Sequence, residues 1–522
     1  VLTGLLSACS VPEDDGTLRA VMHADVQSLD PIVTTTGIVQ RHALMVYDTL
    51  FGRDAQMQPQ PQMVDQWSVS DDGLIWRFSL REGLRFHDGA PVTAADAVAS
   101  LKRWGSKDSY GRQLFAVTRS LVAVDARAFE WQLERPYGLM LEALSKTSGP
   151  IPVIMPARLA AADASVPVAE VIGSGPFVFS AAEWVPGSTV VYRRNPDYLP
   201  RTEPASGTAG GKVARVPRVE WLNLRDSQSA VLALAAGEVD FVESPSIDFL
   251  PMLEAEGMQV ARLDPLGAQG MLRMNHLHPP FDHPKARQAL LYAVNQPELL
   301  QAMFGRPDAV QTCYSFFGCG GPLETDAGLP ARAGADPERA RALLAEAGYA
   351  GEPLVVLHPT DILFMNIATL VLAEQLKAVG VTVDLQAMDF GTLASRRSNR
   401  AAPGQGGWHL GLTYWPGASI VDPVGHLPLQ ANCERAWPGW PCDSELQALI
   451  ERFPYVTDPA EQRTLADAIS RRAFEVVPYV PIGQWFQPAA YRPELNGVLP
   501  APGTTVFWNI EKRIDTSAPP ER

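Results

Sequence analysis

Residues 61–104, PQMVDQWSVSDDGLIWRFSLREGLRFHDGAPVTAADAVASLKRW, decide the fold. Leu74, Trp76, Phe78 and Leu80 alternate with Ile75, Arg77, Ser79 and Arg81, the period of two that gives a strand one buried face. Glu82-Gly83 supplies a turn, Leu84 and Phe86 resume the alternation, and Asp88-Gly89 turns the chain again. Thr93 with Asp96 three residues on is a variant capping box. It opens a helix whose Ala97, Val98, Leu101 and Trp104 share one face. The residues alone therefore specify a hairpin followed by a helix.

The same stretch closely resembles the signature segment of the family 5 extracytoplasmic solute-binding proteins, the dipeptide, oligopeptide and nickel receptors of ABC importers. Further blocks continue the resemblance in order. IGSGPF (172–177) resembles a strand-opening motif and is followed by VVYRRNPDY (190–198). Its glycines read as positions of unusual backbone geometry, and Pro176 fixes φ. Met274-Asn275, Pro280-Phe281-Asp282 and KARQAL (285–290) resemble another block.

The resemblance implies an α/β chain with the type II periplasmic-binding-protein fold: two lobes about a hinge, with an inserted extra domain. The implied boundaries are lobe I at 18–48, inserted domain at 49–170, lobe I again at 171–265, lobe II at 266–483 and a C-terminal part of lobe I at 484–514. The two crossings, near 265 and 484, would act as the hinge.

Local patterns fill in that frame. Residues 219–242 read strand, helix, strand, with Leu232, Ala235 and Ala236 on one helical face and Gly237 as the stop. That order is a βαβ unit, so parallel pairing of its strands is expected. A second unit runs from a strand at 354–357 through a helix ending before Gly380 to a strand at 381–385. Asp336 caps and Pro337 starts a helix with Ala340, Leu343, Leu344 and Ala347 as its apolar stripe and Gly348 as its stop. EPASGTAGG (203–211) reads as an exposed loop.

At 522 residues the chain exceeds one compact core, so two or three domains are expected. Its 43 basic against 58 acidic residues give a net charge of −15, which disfavours nucleic acid or an anionic membrane as the main partner. No apolar run approaches the roughly 20 residues of a membrane span. VLTGLLSACS (1–10) looks like the tail of a signal peptide ending in a lipobox, Leu6-Ser7-Ala8-Cys9. Residues 1–8 then fall outside the fold, Cys9 carries a lipid, and 9–17 form a tether; 515–522 reads as a frayed tail. Cys313 with Cys319 and Cys433 with Cys442 fit two short-loop disulfides, although four cysteines allow three connectivities. Zinc is disfavoured by their spacing and by the lack of accompanying histidines.

No catalytic motif stands out: there is no G-x-S-x-G, Walker A loop, H-E-x-x-H or dinucleotide fingerprint. Ser174 is a loop serine without a partner in the pattern, and His87 reads as structural. His276 and His278, alternating on a candidate strand with His283 nearby, read as a polar edge ahead of a metal site. No cofactor is expected.

The expected ligand site lies between Phe390 and Asp422. The resemblance places an aromatic contact at Phe390 and a carboxylate-binding base at Arg397, whose planar fork can donate two parallel hydrogen bonds. Trp408, Tyr414 and Trp415 supply aromatic area, with Trp415 at the position of the family's pocket tryptophan. Thr35 and Thr36, beside Thr34, are expected contacts from lobe I; Asp30 in Ser-Leu-Asp-Pro reads as a turn residue. Peptide receptors of the family carry an acid three residues after that tryptophan, for the peptide's ammonium. Here the position is Ala418, with Asp422 displaced in Asp-Pro, so amine recognition falls to Asp422 or is lost.

The implied function is a lipid-anchored, extracytoplasmic, monomeric receptor of an ABC importer that binds a short peptide or peptide-like solute, closes by its hinge and meets a membrane permease. Its rivals are a receptor for a metal chelate or oligosaccharide, and a binding protein used for sensing.

Overall fold

The computed structural model describes residues 15–224 and 226–513. Cys9 with its lipobox and the 515–522 tail lie outside them, as does most of the 9–17 tether.

Two large sheets carry the molecule. In the first, the N-terminal strand Thr17–Val21 is central. It pairs in parallel with Arg218–Leu222, Thr17 opposite Arg218, and with Phe241–Val242, Ala20 opposite Phe241. Thr189–Arg194 and Phe177–Phe179 extend one side antiparallel, and Ala489–Tyr491 and Gln259–Ala261 extend the other. The βαβ unit at 219–242 therefore exists, but its strands do not touch each other, because the N-terminal strand lies between them. Its helix Ser227–Ala235 buries Ala230, Val231, Ala233 and Leu234; Leu232, expected on the inner face, is 51% exposed.

The second sheet is built on Ala268–Met274, flanked by the antiparallel strands Leu410–Pro416 and Tyr479–Trp485. Leu354–Pro359 and Val383–Met388 pair in parallel around the helix Leu363–Ala378, so the second βαβ unit does join neighbouring strands. The helix Pro337–Glu346 starts as expected: the Asp336 carboxylate accepts the Arg339 N–H at 3.0 Å, and Ala340, Leu343 and Leu344 are buried. The chain passes between the two sheets twice, at 262–267 and 486–488.

A smaller antiparallel sheet holds the opening stretch: Val64–Val69, Ile75–Leu80, Ala128–Leu133 and Thr118–Ala123, in that order across the sheet. Phe78 and Leu80 are buried, and Phe78 stacks on its cross-strand partner Phe129 at 5.0 Å. The helix Ala94–Gly105 covers this sheet with Ala97, Val98, Leu101 and Trp104 inward; the Thr93 N–H and hydroxyl both donate to the Asp96 carboxylate. A buried ion pair, Arg103 to Asp30 at 2.7 Å, ties the helix to the first lobe. Asp30 also accepts the N–H groups of Ile32 and Val168, a turn-holding role.

Two expectations about glycine-rich segments change. Gly173 and Gly175 do not occupy the left-handed region; a Cβ at either would meet the Val46 carbonyl oxygen, at 2.0 and 2.7 Å. Close backbone approach, not φ, demands glycine there. Residues 207–211 are buried, not exposed: Thr208 exchanges backbone and hydroxyl hydrogen bonds with Arg53. His276 and His278 lie in a turn, not a strand, and among the described residues no group of histidines, cysteines and carboxylates could hold a metal ion.

Candidate functional site

In the second lobe the strand Leu410–Pro416 sends successive side chains to opposite faces. Thr413 and Trp415 share one face, whereas Tyr414 turns to the other. There Tyr414 packs edge-on to Phe364 at 5.4 Å and beside Trp485 at 5.6 Å. Tyr414 and Trp415 thus serve different surroundings.

Arg397 follows the helix Phe390–Arg396, which begins with the Asp389 carboxylate accepting the Thr392 N–H at 2.9 Å. Trp408 holds the end of that helix: its indole N–H donates to the Arg397 carbonyl at 2.9 Å. Trp408 is fully buried with Leu393 and Trp440. This corrects the expectation of a ligand contact, since an indole whose faces are packed and whose N–H is used has nothing left to offer. Phe390, half-buried, leans on the same cluster.

The Arg397 guanidinium lies over the Trp437 ring, 4.2 Å from its centroid, with Nη1 donating to the Thr413 hydroxyl at 3.5 Å. Its Nε, buried, has no hydrogen-bond partner, and no carboxylate lies within ion-pair distance among the described residues. Burial pulls its pKa below the ordinary arginine value. Trp437 in turn meets Trp415 edge-on at 6.1 Å. The Cys433–Cys442 disulfide closes the loop that presents Trp437, and Cys313–Cys319 forms the second bridge. Trp437 had no signal in the sequence beyond its place between the two cysteines of that loop.

Asp422 is committed elsewhere. One carboxylate oxygen accepts the N–H groups of Val424 and Gly425, at 2.9 and 3.3 Å, and the other accepts the Tyr110 hydroxyl. Burial, and then Asp422 itself, raise the Tyr110 pKa well above normal, so the phenol remains the donor. Asp422 therefore joins the second lobe to the helix Ser109–Ala116. The structure does not bring it to Arg397. Ala418 packs in an apolar cluster with Met57, Leu266 and Val421.

A cavity of about 170 Å³ opens between the lobes, lined from the first by Arg41, Glu243, Thr504 and Thr505, from the second by Pro416 and Trp485, and from the crossings by Asp264 and Gln487. Glu243 is 5% exposed and pairs with Arg41 and with His23 Nδ1, the latter at 2.6 Å, while the Thr505 hydroxyl donates to it at 2.7 Å. Burial alone would raise the Glu243 pKa; Arg41, His23 and Thr505 outweigh it and hold the carboxyl below its usual range. Thr35 and Thr36 are exposed at the start of the helix Gly37–Val46, one turn before Arg41, and neither lines the cavity. No local pattern announced Arg41, Glu243, Asp264 or Thr504, because each comes from a different segment.

A two-lobed frame crossed twice, with a cavity between the lobes, matches the architecture implied by the opening stretch. The model of bacterial extracellular solute-binding proteins, family 5 (middle), matches residues 58–433. The chain belongs to this family. A probable peptide ABC transporter periplasmic-binding protein of Sinorhizobium fredii is 40% identical over 512 residues, 97% of this chain and 96% of that protein. A glutathione-binding protein of Escherichia coli (strain K12) is 24% identical over 517 residues, 97% and 95% of the two chains. Among solved structures, the periplasmic binding protein of Helicobacter pylori in complex with the peptide STSA superposes with a TM-score of 0.75 at 20% identity, covering 95% of this chain and 98% of that one. The likeness establishes the type II periplasmic-binding fold for this family 5 chain.

Proposed function

We propose that this family 5 protein is the extracytoplasmic receptor of an ABC importer. In this reading it captures a short peptide or peptide-like solute between its lobes and presents the closed form to a membrane permease, held to the membrane by a lipid on Cys9. The observation that carries the reading is the Arg397 guanidinium: largely buried, stacked on Trp437, next to Thr413, and without a carboxylate of its own. A desolvated cation with no internal partner is costly until a ligand supplies the anion, and a planar fork suits a carboxylate. Trp415 and Trp437 offer apolar area beside that carboxylate. The names of the relatives from Sinorhizobium fredii and Escherichia coli agree with a peptide-like ligand.

Ligand contacts with both lobes favour the closed state by the difference in affinity between closed and open forms. The segments at 262–267 and 486–488 are the hinge in this reading, and 49–170 is the inserted domain.

The test is thermal stabilisation of the anchor-free protein by short peptides, nickel chelates and oligosaccharides. A ligand at 100 times its Kd stabilises by roughly 2.7 kcal/mol. A shift with peptides that disappears when their C-terminal carboxylate is amidated supports the reading. A shift confined to chelates or sugars overturns the peptide part of it and leaves the receptor part standing.

A further inference from the structure

The interlobe cavity carries an imbalance of charge. Arg41 and Glu243 neutralise each other within it. Asp264 has no such close partner: its Oδ1 accepts the N–H groups of Leu266 and Gly503, each at 3.0 Å, and Arg41 and Arg262 act on it only at longer range, with no ion pair within 4 Å among the described residues. Beside it, Thr504 is 3% exposed, lines the same cavity, and has a buried hydroxyl with no hydrogen-bond partner. Buried hydroxyls without partners are uncommon, and one set in a cavity wall beside a carboxylate that lacks a close ion pair marks a place for a donor.

Gly503 also explains why the acid stands here. The residue whose N–H binds Asp264 lies directly against Ala418, such that a Cβ at position 503 would be 2.6 Å from the Ala418 Cβ. Position 418 and Asp264 therefore border the same backbone residue from two sides. Met57, Leu266 and Val421 surround Ala418 with apolar groups, so a carboxylate at 418 would be buried among them, whereas Asp264 opens into the cavity. A volume of about 170 Å³ admits a charged terminus and a short substituent; whole small-molecule ligands occupy pockets of roughly 300–1,000 Å³.

We propose that this cavity is the subsite for the ligand's ammonium group, with the Asp264 carboxylate as its charged partner and the Thr504 hydroxyl as a second acceptor. The inference rests on the peptide-receptor reading and assigns one end of the ligand to the crossing segment. Bringing a cation to Asp264 also puts ligand contacts on the segment that must bend as the lobes close.

The experiment is isothermal titration of the wild type, Asp264→Asn and Thr504→Val with Ala-Phe, Gly-Leu and glutathione, each beside its N-acetylated form. The wild type is expected to prefer the free amine. Asp264→Asn, which keeps an oxygen for the Leu266 and Gly503 N–H groups, weakens the free-amine ligand roughly 10- to 100-fold, as for loss of a charged hydrogen bond, and leaves the acetylated form unchanged. Thr504→Val erodes the same preference several-fold and supplies the test if the Asp264 variant fails to fold. A preference that survives both substitutions, or a wild type that binds both forms equally, overturns the amine subsite and leaves the peptide reading intact. No binding of either form to the wild type overturns the peptide reading and this inference together.

Discussion

Arg41 in the first lobe and Arg397 in the second are both largely withdrawn from water, and the protein treats them in opposite ways. Arg41 meets Glu243, which also takes His23 and the Thr505 hydroxyl. Arg397 meets an indole face and a threonine hydroxyl, and no acid among the described residues. A charge whose partner is built in asks nothing of a ligand and serves the architecture. In the proposed reading, a charge whose partner is withheld destabilises the empty protein slightly and reserves its strongest interaction for the ligand. A related contrast separates Asp422, whose second oxygen takes the Tyr110 hydroxyl beyond two backbone N–H groups, from Asp264, which takes two backbone N–H groups and has no ion pair within 4 Å among the described residues.

Four substitutions break or sharpen that contrast. The largest effect is expected from Glu243→Gln, which strands Arg41 in a buried site and should cost ~3 kcal/mol in chemical denaturation; a loss under ~0.5 kcal/mol would mean the pair is not structural. Arg397→Ala should do the reverse. It should leave the unfolding midpoint of the empty protein nearly unchanged and weaken a carboxylate-bearing ligand by ~2 kcal/mol in titration; equal affinity for the amidated and free-acid ligand in the wild type would remove Arg397 from recognition. Asp422→Asn should destabilise by ~1 kcal/mol, through the lost charge that accepts the Tyr110 hydroxyl, with affinity for amine-bearing ligands unaltered. The smallest effect concerns Asp264 without ligand. Burial raises its pKa above the usual 3.8, so its contribution to stability is full below that value and is lost as pH rises through the raised pKa. Asp264→Asn should therefore melt about a degree higher than wild type at pH 7, and the gap should close near pH 3.

The strand and helix of the opening stretch were legible because their signals are local, but the hairpin expected across Glu82-Gly83 does not form: residues 84–86 make no strand, and Ile75–Leu80 pairs with Val64–Val69 and Ala128–Leu133 instead. Alternation over 75–80 and a cap at Thr93 need no knowledge of the rest of the chain. Strand order was not legible: nothing in 219–242 says that residues 17–21 will lie between its two strands, since that pairing is between segments two hundred residues apart. Leu232 shows a different limit, because a helix with apolar residues on most sides does not reveal which side faces in. Arg397 and Trp415 were singled out through the family resemblance. Trp408 was misplaced because an aromatic near a pocket and an aromatic under it look alike in sequence. Trp437 could have been found by asking what the Cys433–Cys442 bridge holds in place. The Arg41, Glu243, Asp264 and Thr504 group had no signal at all, each residue being ordinary in its own segment.

The two passages between the lobes run in contact. A Cβ on Gly267 would be 2.1 Å from the Trp485 carbonyl oxygen, and the Gln484 amide donates to the Leu266 carbonyl at 2.6 Å. Beyond them, Gln259–Ala261 and Ala489–Tyr491 pair as antiparallel strands. Mechanically this is a pair of struts clamped side by side, an arrangement that would favour bending about one axis over torsion. If the lobes close as proposed, they would have essentially one way to approach each other, so a side chain on one lobe would return to the same neighbour on the other at every cycle.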